Sequence, residues 1–471
     1  YGNKFPNGVE LLLSGSYLNS EGHDRLFFPE YSSVNNGIAE NLDGTETKRG
    51  FLSLSYGDFT LQGGYMDRQK HSGAAQYAPY TVFNDPRFLN EDERAYAELK
   101  FDHEFASDWL LQARVYYDHY TFNGTYPVNN NAPDPGTTTI NLDRNAANWV
   151  GGELMVSKTL WERQHVTVGA EVRDDYQIEV HNFDVNPPMT YLDSLKYPWS
   201  FALYAQDEAM LCTNLTVNAG VRYDYFSTFG DTVNPRGAII YNPWAAGTLK
   251  FIYGQAFRAP NAFELYYIQP AYKANPNLMP ERIRSYELVY EQGLPANLRL
   301  TGSLFLNDID GLISQTVDPY DGKNFFANLE SVQARGFETE LEGRWKGGWR
   351  TRLSYTYTEA RDSSTDLILS NSPRHLGKAS AVLPLWREKI FAGLEFQAMS
   401  SRQTVAGNTV GASCVANATL YARELVKNLE FSASLYNIFD KKFSDPVSPD
   451  YLQDTIQQDG RTFRVKLTYH F

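Results

Sequence analysis

The chain ends in Arg461–Phe471, which reads RTFRVKLTYHF and alternates between apolar and polar side chains. The apolar positions are Phe463, Val465, Leu467, Tyr469 and Phe471. Successive side chains of a strand point to opposite faces, whereas a helix would scatter these residues around its surface. The segment therefore predicts an amphipathic strand with one wholly apolar face.

The same period of two recurs along the chain, for example in Leu215–Tyr225, Phe337–Trp345 and Trp349–Tyr357. The polar positions of these segments include repeated charges, such as Glu338 and Glu340. Charges would be costly against the dry core of a sandwich. They cost little when they face a water-filled lumen and the apolar face lies in lipid. The pattern therefore indicates an all-β fold, a transmembrane antiparallel β-barrel.

Segments of this kind number about 20, at the spacing expected for a large barrel. The connections between them are of two kinds. Short connections are predicted at residues 56–58, 106–108, 241–247, 293–297 and 346–348, and long ones at 20–46, 71–91, 121–144, 258–281, 309–330 and 440–460. Short periplasmic turns and long extracellular loops are typical of outer-membrane barrels.

With a periplasmic C-terminus, residues 1–8 are predicted to form a periplasmic turn, and an even strand count requires an earlier pair of strands. We therefore expect a barrel domain over residues 1–471, completed by two preceding strands to the roughly 22 of plugged transporters. The same polarity puts Cys212 at a periplasmic turn and Cys414 near the outer end of a strand. A disulfide needs Cα atoms within about 7 Å, so these two cysteines are not expected to pair.

The composition of the 471 residues agrees with a membrane location. The chain holds 32 Tyr, 28 Phe and 8 Trp, and Tyr and Trp concentrate where a membrane meets water. No run reaches the ~18 apolar residues of a spanning helix, but a spanning strand needs only about half that number. The net charge of −14 argues against a nucleic-acid partner. Acidic pairs such as Asp174-Asp175 are too sparse for a calcium site, and no metal site is expected.

One predicted loop and several strand segments carry a family resemblance. The loop opens with Phe257-Arg258-Ala259-Pro260 and continues through Asn275-Pro276-Asn277-Leu278 to Pro280-Glu281. These two boxes, with Gln333–Glu338 (QARGFE) and Leu435–Asp440 (LYNIFD), resemble TonB-dependent outer-membrane receptors. The aromatic C-terminal strand resembles the assembly signal of bacterial outer-membrane proteins, which would be carried by the five apolar residues named above.

The resemblance implies a receptor in the outer membrane of a Gram-negative cell that imports a scarce ligand. The default ligand is a ferric siderophore, a metal chelate, and transport would be energised by TonB through an N-terminal plug expected to precede residue 1. It further implies membrane lipid and the barrel-assembly machinery as partners, a monomer, and no cofactor. A haem receptor of this family carries a His between the two boxes, and residues 261–274 contain none. Cobalamin and glycans stay open as ligands.

The candidate ligand-binding residues lie in the loop between the two boxes and at its ends. They are Arg258, Phe263, Tyr266, Tyr267, Tyr272, Asn275 and Asn277. Each has a structural alternative: Arg258 could anchor the loop to a carboxylate, and the aromatic rings could belong to the membrane interface. The prolines fix backbone angles whatever the loop binds.

Two other classes of protein compete with a receptor. A passive porin would share the polar lumen but has about 16–18 strands and would lack the loop boxes. A barrel-embedded hydrolase would need a nucleophile held beside a base. The eight His are scattered, however, and no Gly-x-Ser-x-Gly elbow is present. We therefore predict no catalytic residues and no enzymatic activity.

Overall fold

The computed structural model describes residues 1–71, 75–76, 80–106, 108–129 and 138–471, and these residues are almost entirely β. One short helix, α1 (Ala262–Tyr266), and three 3-10 turns at Pro29–Tyr31, Asn35–Gly37 and Lys346–Gly348 are the exceptions. The strands are β1 (Gly2–Lys4), β2 (Glu10–Ser20), β3 (Arg25–Phe27), β4 (Ile38–Glu40), β5 (Thr45–Tyr56), β6 (Phe59–Lys70), β7 (Leu89–Phe105), β8 (Trp109–Asn129), β9 (Thr138–Leu160), β10 (Gln164–Asp184), β11 (Met189–Lys196), β12 (Trp199–Cys212), β13 (Leu215–Phe226), β14 (Gly230–Trp244), β15 (Gly247–Arg258), β16 (Glu281–Leu294), β17 (Leu298–Val317), β18 (Asn324–Arg344), β19 (Arg350–Asp362), β20 (His375–Trp386), β21 (Ile390–Met399), β22 (Arg402–Gln403), β23 (Thr409–Val410), β24 (Ser413–Val426), β25 (Leu429–Tyr436), β26 (Ser444–Pro446), β27 (Thr455–Gln457) and β28 (Thr462–Tyr469).

Twenty-two of these strands join in one antiparallel sheet, in which each strand pairs with its neighbour along the chain. Strands β11 and β12 both pair with β10 and so share one position in the sheet. The remaining strands form three small hairpins, β3–β4, β22–β23 and β26–β27, within the long loops. The prediction of a large antiparallel barrel with about 20 strands is confirmed.

The loop predictions hold in part. Strands β15 and β16 leave residues 259–280 as a long loop, as predicted. The predicted loops 121–144 and 309–330 are wrong as drawn, because β8 runs to Asn129, β9 begins at Thr138 and β17 extends to Val317. These strands continue beyond the membrane, where both faces are wet and the apolar-polar alternation fades. Residues 72–74 and 77–79 of the predicted loop 71–91, Ser107 of the predicted turn 106–108, and residues 130–137 lie outside the described part of the chain.

The predicted turn over residues 1–8 is also corrected. Gly2–Lys4 pairs antiparallel with Glu10–Leu12 as β1. The reversal is confined to residues 5–9, where the Phe5 amide donates to the Val9 carbonyl at 2.8 Å and the Gly8 amide donates to the Phe5 carbonyl at 2.9 Å. A strand of three residues is too short for its alternation to be recognised in the sequence.

Exposed aromatic residues form two rings around the outer wall. The ring at the end with the short turns includes Tyr56, Phe59, Phe105, Trp109, Trp161, Trp244, Trp349 and Trp386. The ring towards the long loops includes Tyr65, Tyr117, Trp199, Tyr286, Phe337 and Tyr355. Apolar side chains such as Leu353 and Leu394 lie between the rings and are about half exposed. This is the surface expected where a barrel meets lipid headgroups on both sides of a bilayer.

The opposite face of the sheet, towards the lumen, carries ion pairs between neighbouring strands. Arg114 on β8 contacts Glu98 on β7 at 3.3 Å and Glu153 on β9 at 2.8 Å. Glu171 on β10 then joins Arg114, at 3.7 Å, to Arg222 on β13, at 2.9 Å. The charged positions inside the strands are thus matched across the wall, in agreement with a wet lumen.

Buried apolar clusters lie under the long loops. One packs Phe28, Ala39, Leu42, Ala75 and Phe83; a second packs Val180, Leu192 and Tyr267; a third packs Leu265, Leu278 and Ile313. These clusters give the loops a fixed shape. Within the described ranges, no helix has the length and apolar content to cross a membrane.

The two cysteines and the C-terminal strand lie where the sequence predicts. Cys212 ends β12 at a short turn, Cys414 lies at the long-loop end of β24, and both are free thiols. Strand β28 exposes Phe463, Val465, Leu467 and Tyr469, and Phe471 follows its last residue. The role of these residues in assembly stays a prediction.

Candidate functional site

The loop between β15 and β16 begins with a single helical turn, α1, whose start is fixed by a capping box. The Asn261 side chain accepts a hydrogen bond from the Glu264 amide at 2.9 Å, and the Glu264 carboxylate accepts one from the Asn261 amide at 2.9 Å. This reciprocal pair satisfies two of the amides that every helix start leaves free. It therefore sets the direction in which the next side chains leave the loop.

Arg258 ties the two ends of this loop together. Its Nε and Nη2 donate to both oxygens of Glu281 at 2.6 and 2.7 Å, and its Nη1 donates to Glu264 at 3.0 Å. Glu281 also accepts from the Ile313 amide at 2.8 Å. Each of the three guanidinium nitrogens thus donates to a protein carboxylate, and the geometry supports the anchoring alternative for Arg258 over ligand contact.

The second sequence box is held against β18. The Asn275 amide group donates to the Phe326 carbonyl at 2.8 Å, and its side-chain oxygen accepts from the Asn277 amide at 3.2 Å. Asn328 then bonds both the amide and the carbonyl of Met279, at 2.9 and 2.8 Å. Asn275 therefore acts as a loop scaffold, while the Asn277 side chain is exposed beside it.

Three of the four predicted aromatic residues come together. The Phe263 ring lies 4.3 Å from the Tyr267 ring, and the Tyr272 ring lies 5.8 Å from the Tyr267 ring at an interplanar angle of 79°. Tyr266 points elsewhere: it packs on the cluster around Leu265, with Lys196 Nζ 5.1 Å from its ring centroid.

Tyr267 connects the loop to a polar network on β9 and β10 that the sequence did not reveal. Its hydroxyl donates to the Asp143 carboxylate at 3.2 Å, and the buried Asn182 side chain donates to the same carboxylate at 2.6 Å. Beside them, Asp184 accepts from Asn141 at 2.9 Å and from the Tyr191 hydroxyl at 2.7 Å.

A β-bulge explains why a period-two count misses two of these polar groups, Asn182 and Asp184, whereas Asn141 and Asp143 fall in the predicted loop 121–144. In β10, the odd-numbered Glu171 faces the lumen. Further along the strand the even-numbered Asn182 and Asp184 also face the lumen, although strict alternation would place them on the opposite face. The pairing of β10 with β9 shifts register between Asp174 and Gln177, and an extra residue in one strand turns the following side chains to the other face. A period-two pattern counted straight through the bulge puts Asn182 and Asp184 on the wrong side.

Together these residues enclose a cavity of about 330 Å³ at the long-loop end of the barrel, which we call the mouth pocket. Its lining is Tyr80, Tyr126, Val128, Asn141, Asp143, Asp184, Tyr191, Phe263, Tyr267, Gln269, Pro270, Ala271 and Tyr272. A larger hollow of about 950 Å³ lies along Leu99, Val115 and Val172 on the outer wall. Its apolar side chains face lipid, so we take the mouth pocket as the candidate site.

The titratable groups of the mouth pocket lie outside the membrane-spanning segments. Asp143 lies roughly 18 Å beyond the aromatic ring that is nearer the long loops, at about 2.5 Å along the barrel axis per strand residue. Burial raises the pKa of its carboxyl, opposed by the hydrogen bonds from Asn182 and Tyr267. Burial raises the pKa of the Tyr191 phenol and of the Tyr272 phenol to about 12 each. Asp184 beside Tyr191 and Asp450 beside Tyr272 contribute to these shifts. Neutral phenols can stack and donate hydrogen bonds, but they are poor iron ligands at neutral pH.

Over the described stretches of the chain, no group of three or more His, Cys, Asp or Glu side chains is arranged to hold a metal ion. The chemistry available in the mouth pocket is therefore aromatic stacking and hydrogen bonding to a bound molecule.

Comparison with known proteins gives a consistent result. The family model described as "TonB dependent receptor-like, beta-barrel" matches residues 31–438. The chain is 25% identical to the ferric enterobactin receptor of Pseudomonas aeruginosa over 326 residues, which are 58% of this chain and 42% of that protein. It is 23% identical to a vitamin B12 transporter of Vibrio cholerae over 447 residues, which are 85% of this chain and 70% of that one.

Among solved structures, a ferric enterobactin receptor mutant from Pseudomonas aeruginosa, in complex with enterobactin, superimposes with a TM-score of 0.76 at 17% identity. The match covers 99% of this chain and 77% of that one. At this level of identity the likeness establishes the fold. The chain spans less than half the length of the curated enterobactin receptor that it matches.

Proposed function

Since the chain belongs to the TonB-dependent receptor β-barrel family of the outer membrane, we propose that the full-length protein is a receptor that imports a ferric siderophore. One observation carries this proposal. The loop that bears the two sequence boxes folds over β9 and β10 and encloses the mouth pocket at the long-loop end. That end is extracellular in an outer-membrane barrel, so the pocket meets a ligand arriving from outside.

The roles within the site divide between scaffold and contact. Arg258, Asn275 and the Asn261–Glu264 capping box hold the loop in shape. Phe263, Tyr267 and Tyr272 present rings to the cavity, where they would stack on the ligand. Tyr266 and Asn277 are not among the residues that line the pocket, and their contribution to ligand binding stays a prediction.

Energy for import would come from the inner membrane. In the proposed full-length protein, an N-terminal plug sits inside this barrel and transmits a pulling force from TonB to the ligand. Because β11 and β12 share one position, the sheet has 21 strand positions including β1, and one further strand, rather than the expected two, would give the even count of 22. Membrane lipid and the barrel-assembly machinery are the other proposed partners, and the receptor works as a monomer. The relatives are receptors and transporters, and we propose no enzymatic activity.

Cobalamin is a second candidate ligand, and a specific observation favours it. The vitamin B12 transporter matches 85% of this chain, a longer match than the 58% shared with the enterobactin receptor. The absence of His from residues 261–274 gives no support to haem.

The test is equilibrium binding by the purified full-length protein. Ferric siderophores of several classes and cyanocobalamin would be titrated while intrinsic tryptophan fluorescence is followed. Phe263→Ala and Tyr272→Ala should each weaken binding of the ferric complex by about tenfold, since a buried aromatic contact contributes upwards of 1 kcal/mol. Tyr320→Ala is the matched control, because that ring is 97% exposed in another loop. If Phe263→Ala and Tyr272→Ala both leave the affinity unchanged, the mouth pocket is not the ligand-binding site. Binding of cyanocobalamin and of no ferric siderophore would favour cobalamin as the ligand.

A further inference from the structure

The charge of the mouth pocket is unusual for a site expected to hold an iron complex. Two carboxylates, Asp143 and Asp184, belong to its wall, and a third, Asp450, acts on Tyr272 at its edge. None of the described residues that line the pocket is a Lys, an Arg or a His. The remaining lining is six aromatic rings with small and amide side chains.

Three cations lie close to the pocket without lining it. Arg144 donates to the backbone carbonyls of Gly124 and Asp143 at 2.6 and 2.7 Å and offsets part of the charge of the Asp143 carboxylate, whereas Asp450 has no arginine or lysine ion pair among the described residues. Lys196 lies over the ring of Tyr266, which does not line the pocket. Lys273 is paired with the carboxylates of Asp318 and Asp321.

The lumen wall below the pocket supplies no spare positive charge at its main ion-pair cluster. Arg114 is surrounded by Glu98, Glu153 and Glu171. Arg222 is shared between Glu171 and Asp224 at 2.9 and 2.8 Å. An anion entering through the mouth pocket would therefore first approach the pocket carboxylates and then reach arginines that are already paired with carboxylates.

Resting on the proposed function, we propose that the siderophore accepted at the mouth pocket is a neutral or cationic ferric complex of the hydroxamate type, and that Asp184 sets this preference. Three hydroxamates neutralise iron(III), whereas three catecholates leave a trianion. A trianion would be repelled by the pocket carboxylates with little water between them to screen the charge. A complex bearing an ammonium group would gain from the same carboxylates and from the faces of the surrounding rings.

Aromatic stacking does not oppose this preference. Phe263 is 44% exposed, and its ring and those of Tyr267 and Tyr272 are neighbours in the lining of the cavity. Such faces accept apolar and cationic groups because the ring quadrupole is negative above its plane. The aromatic rings and the carboxylates therefore both favour neutral or cationic complexes over anionic ones.

The experiment compares three probes on the purified full-length protein: ferrioxamine B, which is cationic, ferrichrome, which is neutral, and ferric enterobactin, which is trianionic. The two hydroxamate complexes should bind at least about tenfold more tightly than ferric enterobactin at low salt. The difference should shrink in high salt, since screening reduces electrostatic discrimination. Tightest binding of ferric enterobactin would overturn the inference while leaving siderophore transport intact. If no ferric complex binds and cyanocobalamin does, the proposed function itself fails.

Two variants test the residues. Asp184→Asn keeps the shape of the side chain and should narrow the preference for the hydroxamate complexes several-fold. Because the change could disturb the bonds from Asn141 and Tyr191, Gln269→Lys serves as the second variant. Gln269 is half-buried at the rim of the pocket, and a lysine there should raise affinity for ferric enterobactin about tenfold without loss of folding. The control Gln403→Lys adds the same charge in a different loop and should leave the preference unchanged. If Asp184→Asn and Gln269→Lys both leave the ratio of affinities for the hydroxamate complexes and ferric enterobactin unchanged, the assignment of the mouth pocket is contradicted.

Discussion

Leu353→Arg tests which face of the barrel meets lipid. Leu353 lies on β19 on the outer wall and is 52% exposed. It is four residues from Trp349 in the aromatic ring at the short-turn end, and two and four residues from Tyr355 and Tyr357 at the ring towards the long loops. At about 2.5 Å of height per residue, Leu353 is roughly 10 Å from the first ring and roughly 5–10 Å from the second, within the apolar band that faces lipid. An arginine at this depth on a lipid-facing wall costs about 2–4 kcal/mol.

The adjacent residue provides the control. Ser354 faces the lumen between its cross-strand neighbours Glu340 and Lys378. An arginine at position 354 would stand in water, close to one carboxylate and one ammonium group. Ser354→Arg should therefore change the free energy of unfolding by no more than about 0.5 kcal/mol.

The assay is reversible urea unfolding of the full-length protein in lipid vesicles, followed by tryptophan fluorescence and by the shift of the folded band on an unheated gel. The unfolding midpoint should fall for Leu353→Arg and stay in place for Ser354→Arg, with unchanged slopes. Equal losses in the two variants, or a larger loss for Ser354→Arg, would refute the assignment of faces.

Three further predictions concern the site and the last strand. Arg258→Ala should remove the guanidinium that Glu264 and Glu281 share and leave each carboxylate with only a backbone amide donor. The local opening free energy of residues 259–280 should fall by about 1–3 kcal/mol, seen as faster hydrogen exchange there with the barrel strands unaffected. Because the pKa of Asp143 is raised in the folded loop, the folded state holds its proton more tightly than the unfolded state. Loop stability should fall as pH rises from the ordinary carboxyl pKa through the raised value, and Asp143→Asn should abolish this pH dependence of hydrogen exchange in residues 262–272. Leu467→Arg should lower the folding yield from inclusion bodies, whereas Lys466→Gln on the lumen face should not; equal yields would contradict the predicted faces of β28.

The sequence was sufficient for the fold because the decisive signal is local. Alternation in β28 and in Phe337–Trp345 reports directly on a wall between lipid and water. A different local signal predicts the loop between Arg258 and Glu281, namely a cluster of prolines and asparagines, which are depleted in strands.

The site was found only in part, because its other half comes from distant strands. Phe263, Tyr267 and Tyr272 stand in one loop, but Asp143 and Asp184 reach them only through the pairing of β9 with β10 and the bulge after Asp174. Nothing local marks such residues, since their side chains look like those of any wet strand end. A period-two pattern that breaks its parity near residue 175 is the one signal that could have indicated the bulge.

The central claim is energised import, and uptake of radiolabelled iron by living cells tests it most directly. Cells that lack their own siderophore receptors would express the full-length protein, with TonB present or deleted, and would be given ferrioxamine B. We predict uptake only in cells with TonB, reduced by Tyr272→Ala and unaffected by Tyr320→Ala. Uptake at the same rate without TonB would contradict this account and identify the barrel as a passive channel.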